Sequence, residues 1–260
     1  MQQTALEKSV LNRALTFTCA LAAGWMLVMV LHCQQFPPPS VTGGPPTVRQ
    51  LLQQHNVPLT KEGLLRALRS TDAAVRYLAA EKLAEDRAYD TAPIVKEIFE
   101  KEGVMEARVN IALALAQLGD VSGKEALRFT CSSEDLPVYI RTRAAGYLLD
   151  LGSESCLAAI LGILPSGDQD SKLQCLSLLP SFHHMTQMQF RQVLDAVNTS
   201  LSDQSPTVRI NATIALGNLH SKAAIPYLQT AIRQESDEQV RSAMQNALQR
   251  LQQIQRKGKD

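Results

Sequence analysis

The sequence predicts an all-α protein: a solenoid of about six stacked helical hairpins, preceded by a single transmembrane helix. Three observations lead there. A short pattern built on one basic residue and several apolar ones recurs six times at a near-constant period. Aromatic residues make up only 5% of the 260 residues while Ala, Leu and Gln are abundant, a balance that favours close-packed helices over sheet. Near the N-terminus, one uncharged apolar run is long enough to cross a bilayer.

In chain order, residues 1–13 read as a cytoplasmic N-terminus, 14–32 as a transmembrane signal anchor and 33–46 as a Pro/Gly-rich linker. Residues 14–31 form a run of 18 positions without a charge. At about 1.5 Å per residue such a helix reaches roughly 27 Å, just enough for the hydrocarbon core. Lys8 and Arg13 precede the run and the next basic residue after it is Arg49, so the positive-inside rule puts the N-terminus in the cytoplasm and the remainder outside it, at a bacterial inner membrane. Two other readings stand beside the anchor. A cleaved signal peptide would need a small-x-small site, whereas the run ends Val30-Leu31-His32-Cys33-Gln34. A lipoprotein signal would use Cys33, but His32 sits where a small residue is usual. Residues 34–46 hold five prolines and two glycines, which exclude helix and favour an extended spacer.

The repeat domain spans residues 47–256. Residues 47–55 suggest a short capping helix, and residues 56–60 a turn that starts the next helix at an N-cap threonine, Thr60. The basic residues that mark the period are Arg76, Arg108, Arg141, Lys172, Arg209 and Arg241, spaced by 32, 33, 31, 37 and 32 residues. Apolar positions follow at three, four and seven residues, on one face of a helix, with Thr213 and Gln245 the two exceptions at the fourth. Small residues at the centre, among them Ala79, Ala80, Ala112, Ala144, Ala145 and Ala212, permit close approach of a neighbouring helix. The partner helices lie upstream, at 61–70, 92–101, 123–132, 156–164, 185–201 and 222–234. Each pair is a hairpin that cannot bury its apolar stripe alone, so the hairpins must stack. The long interval after Lys172 marks an insertion around residues 179–189, with Pro180, His183 and His184, where the stack bends or presents a loop. The last helix runs on into Gln252, Gln253 and Gln255 as a polar cap, and 257–260 is a frayed tail.

The Asp-x-x-Val-Arg-x-x-Ala-Ala-x-x-Leu pattern, clearest over residues 72–83 and 205–216, resembles the HEAT-repeat family, in particular its short form named after phycobilisome lyases. The stretch Ala224-Ile225-Pro226-Tyr227-Leu228 is similar to that family's first-helix signature. The resemblance runs from about residue 60 to 251 and implies a right-handed superhelix. It also implies that the repeated basic residues form a structural ladder, each bonded to an Asp in a turn: Asp72, Asp168 and Asp237 stand four residues before Arg76, Lys172 and Arg241. Repeat four departs from the pattern, with Lys172 for Arg and with Cys175 and Leu176 where alanines are usual.

Other chemistry finds little support. Setting aside Lys8, Arg13 and Glu7, the 26 basic and 25 acidic residues balance, which gives no general attraction to nucleic acid. Cys19, Cys33, Cys131, Cys156 and Cys175 include no pair or cluster of zinc-ligand spacing. The last three fall in helical segments and read as small buried hydrophobes, with a Cys156–Cys175 disulfide as the alternative in an oxidising compartment. Some enzymes of the resembled family hold a di-iron centre through paired His-Glu motifs; none of His32, His55, His183, His184 and His220 is followed by Glu. The glycines around Asp120 to Glu125 superficially suggest a phosphate loop, but Glu125 stands where Ser or Thr belongs and no strand precedes it.

The expectation is therefore a membrane-anchored scaffold for protein–protein interaction or complex assembly, not an enzyme, with no cofactor, metal or small-molecule substrate and an unidentified protein partner. Glu81, Lys82, Gln117, Tyr147, Asn218 and Gln245 are the partner-binding candidates by helical phase. The alternatives are a structural envelope component without a discrete partner and, from the family resemblance, a lyase or chaperone-like factor.

Overall fold

The computed structural model describes residues 45–257, with side chains to residue 254. The predicted N-terminus 1–13, the anchor 14–32, all but two residues of the linker 33–46, and 258–260 of the tail lie outside the described residues. The described residues contain helices and turns and no strand, and none of their helices is long and apolar enough to cross a membrane.

A short helix α1 (Val48–Gln54) opens the repeat unit, close to the expected cap. Six hairpins follow: α2 (Lys61–Ala67) with α3 (Ala73–Glu85), α4 (Ala92–Lys101) with α5 (Met105–Gln117), and α6 (Val121–Ser132) with α7 (Val138–Asp150). Then come α8 (Leu157–Leu161) with α9 (Gln169–Leu178), α10 (Gln187–Ser200) with α11 (Pro206–Asn218), and α12 (Ile225–Gln234) with α13 (Glu238–Lys257). The second helices meet one another in chain order, α3 on α5, α5 on α7, α7 on α9, α9 on α11 and α11 on α13, as stacked repeats require. The helix α13 reaches Lys257, one residue into the expected tail.

Local chemistry sets the boundaries. Thr60 caps α2, its side chain accepting from the Gly63 N–H at 3.1 Å, as the sequence predicted. Thr186 and Gln189 close a capping box at the start of α10. Helices end where the chain turns left-handed: Gly119 lies at φ +89° and Gly152 at φ +72°, while Asn56, Arg87 and His220 accept the same region without being glycine. The centres of the first, second, third and fifth hairpins are as tight as the alanines promised: Ala79, Ala80, Ala112, Ala144, Ala145 and Ala212 are all buried. Gly123 lets α6 lie directly on α5, since a Cβ there would sit 2.4 Å from the Ala116 nitrogen.

The core forms two apolar clusters. One joins α1 to α5 through Leu52, Leu64, Leu68, Leu83, Val95, Ile111 and Leu115; the other runs from α5 to α13 through Leu127, Ile140, Leu148, Leu176, Leu194, Leu216 and Met244. Helix α5 faces both, giving Ile111, Ala114 and Leu115 to the first and Val109 and Ala112 to the second.

The cysteines depart from the expected alternative. Cys156 pairs with Cys131, with Cα atoms 6.1 Å apart, and ties the start of α8 to the end of α6, while Cys175 is free and buried. Cys175 points from α9 into the core, where burial pushes its thiol up to about 12.

Candidate functional site

The repeated basic residues converge on the turn side of the stack, but not on the aspartates expected. Asp72, Asp168 and Asp237 each sit at a helix N-terminus and accept from free backbone N–H groups: of Ala74 at 2.8 Å, of Ser171 at 2.8 Å, and of Gln239 and Val240 at 2.9 and 3.1 Å. The unpaired N–H groups of a first turn outcompete a guanidinium one turn away for the same carboxylate. The ladder's acids lie in the next repeat. Arg76 forks onto Glu102 with two bonds of 2.7 Å, and Arg209 forks onto Glu235 at 2.7 and 3.0 Å. Lys172 binds Asp203 at 2.7 Å.

Three of the arginines also grip the turn before their own helix. Arg76 donates to the Ser70 and Thr71 carbonyls, Arg209 to those of Asp203 and Gln204, and Arg241 to those of Glu235 and Ser236. Glu235 thus lies between two arginines, its carboxylate on Arg209 and its carbonyl on Arg241. The hydrogen-bonded Arg76 guanidinium holds the Glu102 carboxyl below its ordinary value against the opposing effect of burial, and Arg209 does the same for Glu235. At Asp203 burial is the larger influence and pushes upward, but the bonds from Lys172 and the Ser205 N–H leave the carboxyl lowered. Arg141 is buried and donates to the Cys131 carbonyl at 3.2 Å, and Arg108 stacks over the Phe99 ring at 4.8 Å. Neither forms an ion pair among the described residues.

The second helices carry the other surface. Successive helices are cross-linked there by side chains: Tyr139 donates to Glu106, Tyr147 to Asn110, and Thr142 to Gln174 at 2.9 Å. Of the six candidates read from helical phase, Gln117, Asn218 and Gln245 are exposed, and Glu81 and Tyr147 are half-buried. Lys82 is buried and bonded along its own helix to Asp86, with Glu85 at 3.5 Å, so its charge is already occupied. Exposed Tyr139, Arg143 and Ile214 belong to the same helices and were not among the candidates. The insertion after α9 is held from afar: the backbone N–H groups of His183 and His184 both donate to Glu154, at 2.6 and 2.7 Å. The glycine-flanked stretch at residues 119–125 is the α5–α6 turn, where Asp120 caps α6 through the Ser122 N–H at 2.9 Å. Among the described residues, no three His, Cys, Asp or Glu side chains converge in a metal-binding group.

Residues 166–249 match a family model of HEAT repeats, covering the later hairpins from α9 onward. No curated protein is significantly similar in sequence. Among solved structures, an engineered protein is 21% identical with a TM-score of 0.45, covering 74% of this chain and 96% of its own. Human deoxyhypusine hydroxylase in complex with glycerol is 21% identical with a TM-score of 0.40, over 74% of this chain and 73% of its own. The complex of CpcE and CpcF of phycocyanin lyase from Nostoc sp. PCC7120 is 18% identical with a TM-score of 0.34, over 84% and 98%. The activities in those descriptions belong to those proteins.

Proposed function

We propose that the chain is a non-catalytic scaffold of HEAT-like repeats, wound as a right-handed superhelix, that holds a protein partner outside the cytoplasm while residues 14–32 anchor it in a bacterial inner membrane. The observation that carries the reading is the continuity of the second-helix face. Helices α3, α5, α7, α9, α11 and α13 adjoin in chain order, and cross-repeat bonds such as Tyr139 to Glu106 fix their spacing. Gln117, Arg143, Asn218, Gln245, Tyr139 and Ile214 are left exposed on those helices. A surface repeated over six hairpins suits an extended polypeptide better than a small substrate. The Cys131–Cys156 disulfide supports the extracytoplasmic placement, since such bonds persist in oxidising compartments.

Chemical cross-linking in cells followed by purification of the full chain tests the scaffold. A stoichiometric protein partner, lost when Tyr139 and Asn218 are replaced by Arg, is the expected result; no partner across growth conditions sinks it. A protease-accessible tag after Asp260 tests the topology separately, and protection of that tag in spheroplasts would contradict the anchor's orientation.

A further inference from the structure

Three helices end in the same way but with different side chains. Glu102 caps the C-terminus of α4 at φ −70°, ψ 118°, and Glu235 caps α12 at φ −74°, ψ 126°. Ser133 caps α6 at φ −77°, ψ 108°, the same backbone conformation without the acid. The two glutamates accept Arg76 and Arg209 of the preceding repeats. The arginine that precedes Ser133 in the same sense is Arg108, and among the described residues its rung has no carboxylate: Arg108 is exposed, donates there to the Glu102 carbonyl alone, at 3.4 Å, and lies over Phe99. Glu134, 26 residues on from Arg108 as Glu102 is from Arg76, has been carried into an exposed turn. That turn is longer: Arg141 lies eight positions after Ser133, against six for Arg108 after Glu102.

Beside the unfilled rung, α4, α5 and α6 enclose a cleft of about 630 Å³ lined by Phe99, Met105, Arg108, Phe129 and Leu136. Phe129 is 74% exposed, more than any other large apolar side chain described. Two carboxylates also reach the cleft, and neither fills the rung: Glu102 is held by Arg76, and Glu125 is exposed on α6 and makes no ion pair with Arg108.

We propose that this cleft docks a segment of the protein partner that carries an Asp, Glu or terminal carboxylate next to a bulky apolar side chain. The partner's acid takes the rung that Glu102 and Glu235 fill elsewhere, and its apolar neighbour covers Phe129. A charged guanidinium over one aromatic ring, in a cleft that a second ring also lines, favours a carboxylate that brings its own apolar surface, because the rings add contact area while the ion pair sets register. The proposal rests on the scaffold reading and gives it a second contact, on the first-helix side of the stack.

Selection of binders from a random linear-peptide library on the purified full chain tests it. The expected peptides share an acidic residue beside an aromatic or aliphatic one. Ser133→Glu supplies the missing acid from within and should weaken them by about tenfold or more while raising the melting temperature; Ser133→Gln should do neither. Phe129→Ala, a change at an exposed position, should weaken them without unfolding the chain. Selected peptides without an acidic residue, no selected peptide at all, or affinities unmoved within about twofold by Ser133→Glu overturn the site. Peptides sensitive to Tyr139→Arg but not to Ser133→Glu overturn it while leaving the scaffold standing, and the cross-linking experiment judges the scaffold independently.

Discussion

Glu102 has a fully buried side chain whose charge is met by one forked guanidinium and the Val104 N–H at 2.9 Å. Removing it leaves Arg76 largely buried and uncompensated, so Glu102→Ala should cost about 3 kcal/mol in urea unfolding, whereas Lys96→Ala, at a half-buried pair with Asp120 whose nitrogen and oxygen are 3.8 Å apart, should cost about 0.5 kcal/mol. The same carboxylates set a pH dependence. Glu102 and Glu235 titrate below their ordinary 4.5 when folded, so their contribution is complete above that value and is lost as pH falls through the depressed range. The urea midpoint should therefore drop between pH 5 and pH 3 by less in a Glu102→Gln, Glu235→Gln double variant than in the parent. With its thiol raised to about 12, Cys175 should resist iodoacetamide at pH 8 in the folded chain and react once urea unfolds it. The basic residues of the ladder were legible from their period. Their acids were not, because an aspartate four residues away looks like the natural partner while Glu102 is 26 residues on. Only the capping demand of a helix start explains why Asp72 is unavailable.

At the level of helices, close approach and covalent linkage make separate predictions. Gly123→Ala forces a methyl against the Ala116 backbone and should destabilise the α5–α6 packing by about 2 kcal/mol, seen as a lower urea midpoint with unchanged slope. Opening the Cys131–Cys156 bridge, which closes 25 residues of sequence, should cost about 3 kcal/mol when both cysteines become serine, and more if the buried sites are poorly satisfied. The helix pairs themselves were readable, since small residues, caps and apolar phase agree along the chain. The fourth hairpin was not: a first helix expected over 156–164 contracts to Leu157–Leu161, capped by Gly162, and its short span is compensated by the disulfide and by Glu154 reaching the insertion. Contacts separated by 25 to 29 residues leave no local trace in composition.

For the repeat unit as a whole, the division of the core at α5 predicts unfolding in two stages. Hydrogen exchange should separate amides of α1 to α4 from those of α6 to α13, and Leu83→Ala should shift the first group far more than the second. A single coincident transition for both groups would contradict this. Stacking in chain order was readable from the period, because a hairpin with an uncovered apolar stripe has to lean on its neighbour. The boundary within the stack was not, since it depends on which side of α5 each residue occupies in three dimensions.

That division bears on force. If the chain links a bilayer to a partner gripped by its later hairpins, tension runs through α5. There Val109 and Ala112 hold one side and Ile111 and Leu115 the other, while the charged ladder has a rung missing. Under load the molecule should yield there first, as a mechanical fuse, with the hairpins on either side still intact.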